Sequence, residues 1–266
     1  MTKLARKKDD QSQSGEAAQV PARAPIFNEP DYGGDRSYGL TWDAHPAAKI
    51  AIFGFPKSGN NWLKAVLTDY FQMPGINLFN QREARGIGLT HIPFSPEIEA
   101  RTDFIHGVLI VRDLRDVVAS FYHYSQTARY KNARRDFQYD SPEAFYYDWF
   151  LPITTHQFQI NSFADDYARL SVPVLRYERM WDHPLDETRK LVLRWGMPFD
   201  VDRMKEAIKN NALENLKVSG KTFEIHIEAS HFRRGGYGNY SEDLPPKIVA
   251  DINERFRDLQ RRWGYE

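Results

Sequence analysis

An apolar run, Ile50-Ala51-Ile52-Phe53, leads directly into Gly54-Phe55-Pro56-Lys57-Ser58-Gly59, and an amphipathic stretch opens at once with Asn60-Asn61-Trp62. A strand, a tight turn and a helix follow from that order. Backbone N–H groups of such a turn and of the first helical turn point outward without intrahelical partners. The helix end adds roughly half a positive charge. Lys57 adds a whole charge to the same place. The segment therefore predicts an anion site, and the anion chemistry that suits it is a phosphate. It is not a Walker A loop, because Lys57-Ser58 precedes Gly59 instead of following it. A dinucleotide G-x-G-x-x-G is also missing from the chain.

The rest of the chain alternates in the same sense. Trp62, Leu63, Val66, Leu67, Tyr70 and Phe71 recur at helical spacing until Pro74. A second apolar run, Gly107-Val108-Leu109-Ile110-Val111, ends at Arg112. A helix is predicted to begin near Asp113, with Val117, Val118, Phe121 and Tyr122 on one face. A third run, Val172 to Tyr177, is followed by Pro184 at a helix N1 position, and Leu191, Val192 and Trp195 share a face after it. The last predicted helix runs from about Pro246 to Arg262 with Ile248, Ile252, Phe256, Leu259 and Trp263 as one stripe. Short continuous apolar strands alternating with helices predict an α/β fold of three layers: a mainly parallel central sheet flanked by helices, with a P-loop-like turn after the first strand.

Of the 266 residues, Lys plus Arg and Asp plus Glu number 36 each, so the formal net charge is zero. That balance argues against generic nucleic-acid binding, which shows a strong basic excess. Cysteine is absent, which excludes disulfides and thiolate zinc sites. No other ligand cluster suggests a metal. Residues 1–36 are rich in Lys, Asp, Gln, Ser, Ala and Pro without apolar periodicity, and a disordered tail is expected there, ahead of one domain over 37–266. No apolar run approaches 18 residues, so a transmembrane anchor is not expected and a cytoplasmic location is.

Three segments carry a family resemblance. Pro56-Lys57-Ser58-Gly59-Asn60-Asn61-Trp62 resembles the 5′-phosphosulfate loop of sulfotransferases that use 3′-phosphoadenosine 5′-phosphosulfate (PAPS), with Asn60 and Asn61 where two threonines usually stand. Val111-Arg112-Asp113-Leu114-Arg115-Asp116-Val117-Val118-Ala119-Ser120 resembles the family's second signature, in which an arginine and a serine at this spacing hold the 3′-phosphate. Phe232-Arg233-Arg234-Gly235-Gly236-Tyr237-Gly238 resembles the R-K-G-x-x-G segment that grips the same phosphate. Here Arg234 replaces lysine, and its planar donor fork suits phosphate oxygens. Thr90-His91-Ile92-Pro93 resembles the T-H-x-P segment whose histidine is the catalytic base, and histidine's pKa near ~6.5 suits that task. Asn211-Ala212-Leu213 aligns poorly with a further family segment. Leu89 stands where many members carry a lysine.

The resemblance implies a PAPS-dependent sulfotransferase, with Lys57 and His91 catalytic and Glu83 in reserve as the base. The donor-binding set is Lys57, Ser58, Gly59, Asn60 and Asn61 at the 5′ end, Trp62 stacking on the base, Tyr177 near the adenine, and Arg112, Ser120, Arg233, Arg234 and Gly235 at the 3′ end. The acceptor would be a small molecule, a glycan or a lipid, and self-association into a homodimer stays open. Two other classes also stay open: a P-loop-type nucleotide kinase or NTPase, and a nucleotide-binding relative without catalysis. Each motif residue also has a plain structural alternative: a solvated lysine at 57, a loop histidine at 91, a surface ion pair of Arg112 with Asp113 or Asp116, and core aromatics at 62 and 177. Aromatic runs such as Phe121-Tyr122-His123-Tyr124 and Phe145-Tyr146-Tyr147 are candidates to line an acceptor pocket.

Overall fold

A computed structural model describes residues 49–78, 85–91, 106–133, 138–154, 160, 167, 171–219, 221–222, 225–226 and 234–265. The tail expected over 1–36, Glu83 and Arg233 lie outside them. Five parallel strands, β1 (Lys49–Gly54), β2 (Gly75–Ile76), β3 (Gly86–Thr90), β4 (His106–Val111) and β5 (Val174–Arg176), form a sheet in the order β2-β3-β1-β4-β5. A short antiparallel pair, β6 (Lys221–Thr222) and β7 (Ile225–His226), lies apart from it. The helices are α1 (Asn60–Phe71), α2 (Leu114–Ser125), α3 (Ala128–Ala133), α4 (Pro142–Ala144, running into a π turn over Phe145–Phe150), α5 (Tyr177–Asp182), α6 (Pro184–Arg194), α7 (Val201–Asn210), α8 (Leu213–Ser219), α9 (Tyr240–Asp243), α10 (Pro246–Arg255) and α11 (Arg257–Arg262).

Strand alternation divides the core. Ile50 and Ile52 of β1, with Val108 and Ile110 of β4, pack with Leu63, Val66, Leu67 and Tyr70 of α1 and with Leu191 and Met204 of α6 and α7. Ala51, Phe53, Leu109 and Val111 face the other way, onto Val117 and Val118 of α2, Phe145 and Phe150 of the π turn, and Ile248, Ile252 and Phe256 of the C-terminal helices. Successive side chains of a strand point to opposite faces, so a sheet covered on both sides needs apolar residues at every position. Each large apolar side chain so buried contributes about 1.5–3 kcal/mol. The three-layer α/β architecture expected from the sequence is the one observed.

Two differences have local causes. Strand β3 escaped the sequence reading because its stretch Gly86-Ile87-Gly88-Leu89 is half glycine. A Cβ on Gly88 would fall 2.4 Å from the Leu78 side chain, so close packing took precedence over strand propensity. The last helix bends at Phe256, where φ is −110° and ψ is 21°, although Phe256 N–H still donates to Ile252 O and Gln260 N–H to Phe256 O. The bend lets α11 turn Gln260 and Tyr265 inward, where Gln260 Oε1 accepts from Leu114 N–H at 3.0 Å and Tyr265 donates to Glu178.

Candidate active site

In open parallel sheets ligands bind beyond the carboxyl ends of the strands. Here the ends of β1, β3, β4 and β5 lead in turn to Lys57, His91, Arg112 and Tyr177. All four line one cleft of about 360 Å³, together with Pro56, Asn61, Trp62, Ser120, Tyr124 and Gly235.

The β1–α1 turn is closed by Ser58 N–H donating to Phe55 O at 3.2 Å, and α1 begins with Leu63 N–H donating to Gly59 O at 3.1 Å. Gly59 caps the helix with φ of 95° and offers no side-chain acceptor, and the first turn carries no acidic residue. The free N–H groups of α1 therefore face the cleft uncompensated, which is the arrangement an anion fills. A Cβ on Gly59 would fall 2.5 Å from the Tyr177 ring, so only glycine lets the turn lie against it. Asn60 differs from expectation. Its side chain is buried at 3% exposure and its Nδ2 donates back to Phe55 O at 2.9 Å. It braces the turn through that bond, and its backbone N–H belongs to the first turn of α1. Lys57 has a left-handed backbone, φ 71°, and its Nζ sits 4.5 Å from the centre of the Tyr124 ring. Burial, reinforced by the nearby Arg112 cation, lowers its pKa to about 8.

The register of β1 on β3 pairs Phe53 with Thr90, which brings the next residue, His91, beside Gly54. There Nδ1 lies 2.7 Å from Gly54 O. A carbonyl only accepts, so Nδ1 carries the proton and Nε2 is the basic nitrogen. Burial pushes the His91 pKa below the usual histidine value against the opposing pull of the Gly54 hydrogen bond, and the Lys57 charge lowers it further. Leu89, one residue before Thr90, packs against the α1-side core, so no side chain from that position faces the cleft.

At the end of β4, Arg112 makes neither ion pair weighed for it. Asp113 caps α2 by accepting from Arg115 N–H and pairs with the Arg115 side chain at 2.6 Å. Arg112 instead donates from Nη1 to Lys57 O and from Nη2 to Gly236 O, both at 3.0 Å, and lies 4.3 Å over the Tyr177 ring. Ser120 lies two helical turns along α2 and lines the cleft. Arg234 lines it too, with its side chain reaching Glu242 at 3.0 Å across an exposed surface. Tyr177 and Trp62 form part of an aromatic wall, and the Trp62 indole donates to Asn211 O at 3.0 Å.

Sequence reasoning missed two residues. Trp181 stands one helical turn after Tyr177, its ring 6.2 Å from both Tyr177 and Trp62, and is 36% exposed beside the cleft. The i, i+4 spacing from Tyr177 was the available signal. Asp116, 2% exposed, accepts from Gly238 N–H at 2.7 Å and Tyr240 N–H at 3.2 Å, and so holds the glycine-rich loop. Burial pushes its pKa up, opposed by those two hydrogen bonds and by Arg112. Its signal was the i, i+4 relation to Ser120 on α2. Among the described residues lining the cleft, Asp116 is the sole carboxylate, facing Lys57, Arg112 and Arg234, so the cleft is cationic. The aromatic run at 145–150 does not join it, since Phe145, Tyr146 and Phe150 are core, whereas Phe121 and Tyr124 do line it.

Fold and site together define an α/β protein with a cationic, aromatic-walled cleft whose carboxyl-end loops suit an anionic nucleotide. The chain matches the sulfotransferase domain over residues 70–264, and it belongs to that family. It is 24% identical over 248 residues to cytosolic sulfotransferase 3 of Arabidopsis thaliana, covering 80% of this chain and 78% of that one. Among solved structures it resembles a mouse sulfotransferase, SULT7A1, complexed with PAP (TM-score 0.62, 17% identity, 79% of this chain and 84% of that one). It also resembles a retinol dehydratase in complex with androsterone and the inactive cofactor PAP (TM-score 0.60, 11% identity, 80% of each chain). At these identities the structures establish the shared α/β fold. No helix among the described residues is long and apolar enough to cross a membrane, and no group of His, Asp and Glu among them suits a metal ion.

Proposed function

We propose that this sulfotransferase uses PAPS as donor and transfers the sulfuryl group to a hydroxyl or amine of its acceptor, with His91 as base and Lys57 as the charge at the reacting end. The observation that carries the reading is the convergence of Lys57, His91 and Arg112, from three neighbouring strands, on one cleft. Three local features fit a nucleotide with phosphate at both ends. The α1 N-terminus is uncapped, Arg112 Nε is buried without a partner, and Gly235, where a Cβ would fall 2.4 Å from Trp181, lets the loop lie against the aromatic wall.

The donor, when bound, supplies a sulfuryl group on a phosphate leaving group. Lys57, Ser58 and the backbone N–H groups of Gly59, Asn60 and Asn61 hold the 5′ end. Arg112, Ser120, Arg234 and the Gly235 backbone hold the 3′ end, and Trp62, Tyr177 and Trp181 take the base between them. Base–aromatic stacking of this kind is worth about 1–3 kcal/mol per base. His91 Nε2 receives the acceptor's proton while Gly54 O keeps the ring in the productive tautomer. Lys57 and the α1 N–H groups stabilise the negative charge that develops on the leaving oxygen. Both contributions rest on fixed charges and dipoles, so positioning dominates the catalysis. Pro56, Ala119, Phe121 and Tyr124 give the cleft an apolar lining suited to an acceptor with an apolar body.

Calorimetric titration tests the donor assignment. Adenosine 3′,5′-bisphosphate is expected to bind at least tenfold tighter than adenosine 5′-monophosphate, with no change on adding magnesium. Magnesium-dependent binding of ATP in preference to the bisphosphate would overturn the reading. A donor-labelled transfer screen over phenols, sugars, lipids and amines then identifies the acceptor.

A further inference from the structure

Arg112 stands between the two ends of the cleft. Its Nη1 holds the carbonyl of Lys57 and its Nη2 the carbonyl of Gly236, so one guanidinium ties the β1–α1 turn to the glycine-rich loop. Its plane is fixed by the Tyr177 ring beneath it. The residue it holds is unusual, because Lys57 carries a positive φ of 71° with a full side chain. Such a conformation costs about 1–3 kcal/mol and persists only where its surroundings enforce it. The Arg112 hydrogen bond to the Lys57 carbonyl is one of those enforcements.

We propose that Arg112 is a relay between the two phosphate positions: an anion placed against its guanidinium on the Gly236 side relieves the repulsion Arg112 exerts on the Lys57 ammonium. Lys57 then holds its proton to higher pH when both ends of the cleft are filled than when only the 5′ end is. The proposal rests on the bisphosphate-nucleotide reading above and adds a consequence to it. The 3′-phosphate serves as an affinity handle and also sets the charge of the group that stabilises the leaving phosphate 5′ of the same nucleotide. A donor lacking it would therefore lose turnover as well as affinity.

The groups facing Lys57 support this balance. Arg112 is a permanent cation, His91 is neutral with its proton on Nδ1, and the Tyr124 ring offers its face to Nζ. Asp116, the carboxylate among the described cleft residues, holds the N–H groups of Gly238 and Tyr240. Like charge disfavours the protonated amine, and an opposite charge on Arg112 cancels that effect.

The test reads the Lys57 amine directly. Reductive 13C-methylation gives a lysine resonance, assigned by its loss in Lys57→Arg, whose shift is followed against pH. It is recorded for the free protein and for the protein saturated with adenosine 5′-monophosphate or adenosine 3′,5′-bisphosphate. The midpoint is expected to be higher with the bisphosphate than with the monophosphate by about half a pH unit or more. Arg112→Gln is expected to raise the midpoint of the free protein and to abolish the difference between the two nucleotides. Arg112→Lys keeps a charge but cannot span both carbonyls, so it should leave the midpoint low while weakening bisphosphate binding. Equal midpoints for the two nucleotides on the wild type, or a difference that survives Arg112→Gln at saturation, overturns the relay. A bisphosphate that binds no tighter than the monophosphate overturns the nucleotide reading instead. The wild-type comparison decides the matter even if Arg112→Gln does not fold.

Discussion

Between Gly54 and Trp62 the chain closes its anion-facing turn with bonds to its own neighbours. Ser58 N–H and Asn60 Nδ2 both donate to Phe55 O, and Leu63 N–H donates to Gly59 O. Between Arg234 and Tyr240 the second loop is held from far along the sequence. Arg112 reaches Gly236 across 124 residues, Asp116 reaches Gly238 and Tyr240 across 122 and 124, and Asp182 accepts from the Tyr237 hydroxyl across 55. The first loop closes mainly on its own neighbours, with Arg112 and His91 reaching its carbonyls from 55 and 37 residues away. The second exists only when α2, α5 and the C-terminal helices have assembled, and elements held by few distant contacts open at lower free energy. In the proposed function the local loop supplies the charge at the reacting end and the assembled loop the affinity.

Substitutions can break that division at either end. Lys57→Ala is expected to lower kcat by about 10²–10³-fold while leaving the affinity for adenosine 3′,5′-bisphosphate within a few-fold, measured by single-turnover kinetics beside calorimetry. An unchanged kcat removes Lys57 from catalysis. His91→Gln should cost about 10²–10⁴-fold in kcat/KM. In the wild type, kcat/KM should rise as pH climbs through a His91 pKa held below 6.5, because the base must be neutral. It should fall again as Lys57 loses its proton above about 8. A profile that is flat from pH 5 to 9 contradicts both roles.

The assembled loop is probed through Asp116. Asp116→Ala leaves the N–H groups of Gly238 and Tyr240 without their acceptor. Hydrogen bonds to a charged group are worth about 1.5–3 kcal/mol, so bisphosphate binding should weaken by roughly 10–100-fold with a smaller effect on kcat. A kcat loss larger than the affinity loss would reverse the division of labour between the loops. The smallest effect is expected for Asn60→Ala, which removes one hydrogen bond from a turn otherwise held by its backbone. It should lower stability by about 1 kcal/mol, read as a shift in the denaturation midpoint, and leave 5′-phosphate affinity nearly unchanged. A large loss of affinity would mean that the Asn60 amide contacts the phosphate after all.

The same contrast explains what was legible in the residues. The β1–α1 turn could be read directly because its ligand-facing groups are consecutive and its chemistry is backbone chemistry. Arg112 and Ser120 could be picked out because the β4–α2 junction sets them at a fixed spacing. Trp181 and Asp116 were harder, since a tryptophan or an aspartate on a helix says nothing until its neighbours are known. Asn60 was misjudged for a related reason. An amide beside a phosphate loop can turn outward to the ligand or inward to Phe55 O, and here the missing side chain of Gly54 leaves room for it to turn inward. Strand β3 was hidden by glycines chosen for close packing, although its last residues were singled out for their chemistry.

By itself the sequence determined the layered α/β class and the strand–turn–helix after β1 with Lys57 in its turn, because these follow from periodicity and from groups adjacent in the chain. Only the tertiary structure decided that His91 lies beside Gly54 with Nε2 left basic, and that Arg112 joins two loops where a surface ion pair had been an alternative. It also decided that Trp181 completes the aromatic wall. Each of those depends on strand register or on contacts across a hundred residues, and pairing between distant segments is settled by the whole core rather than by any local run.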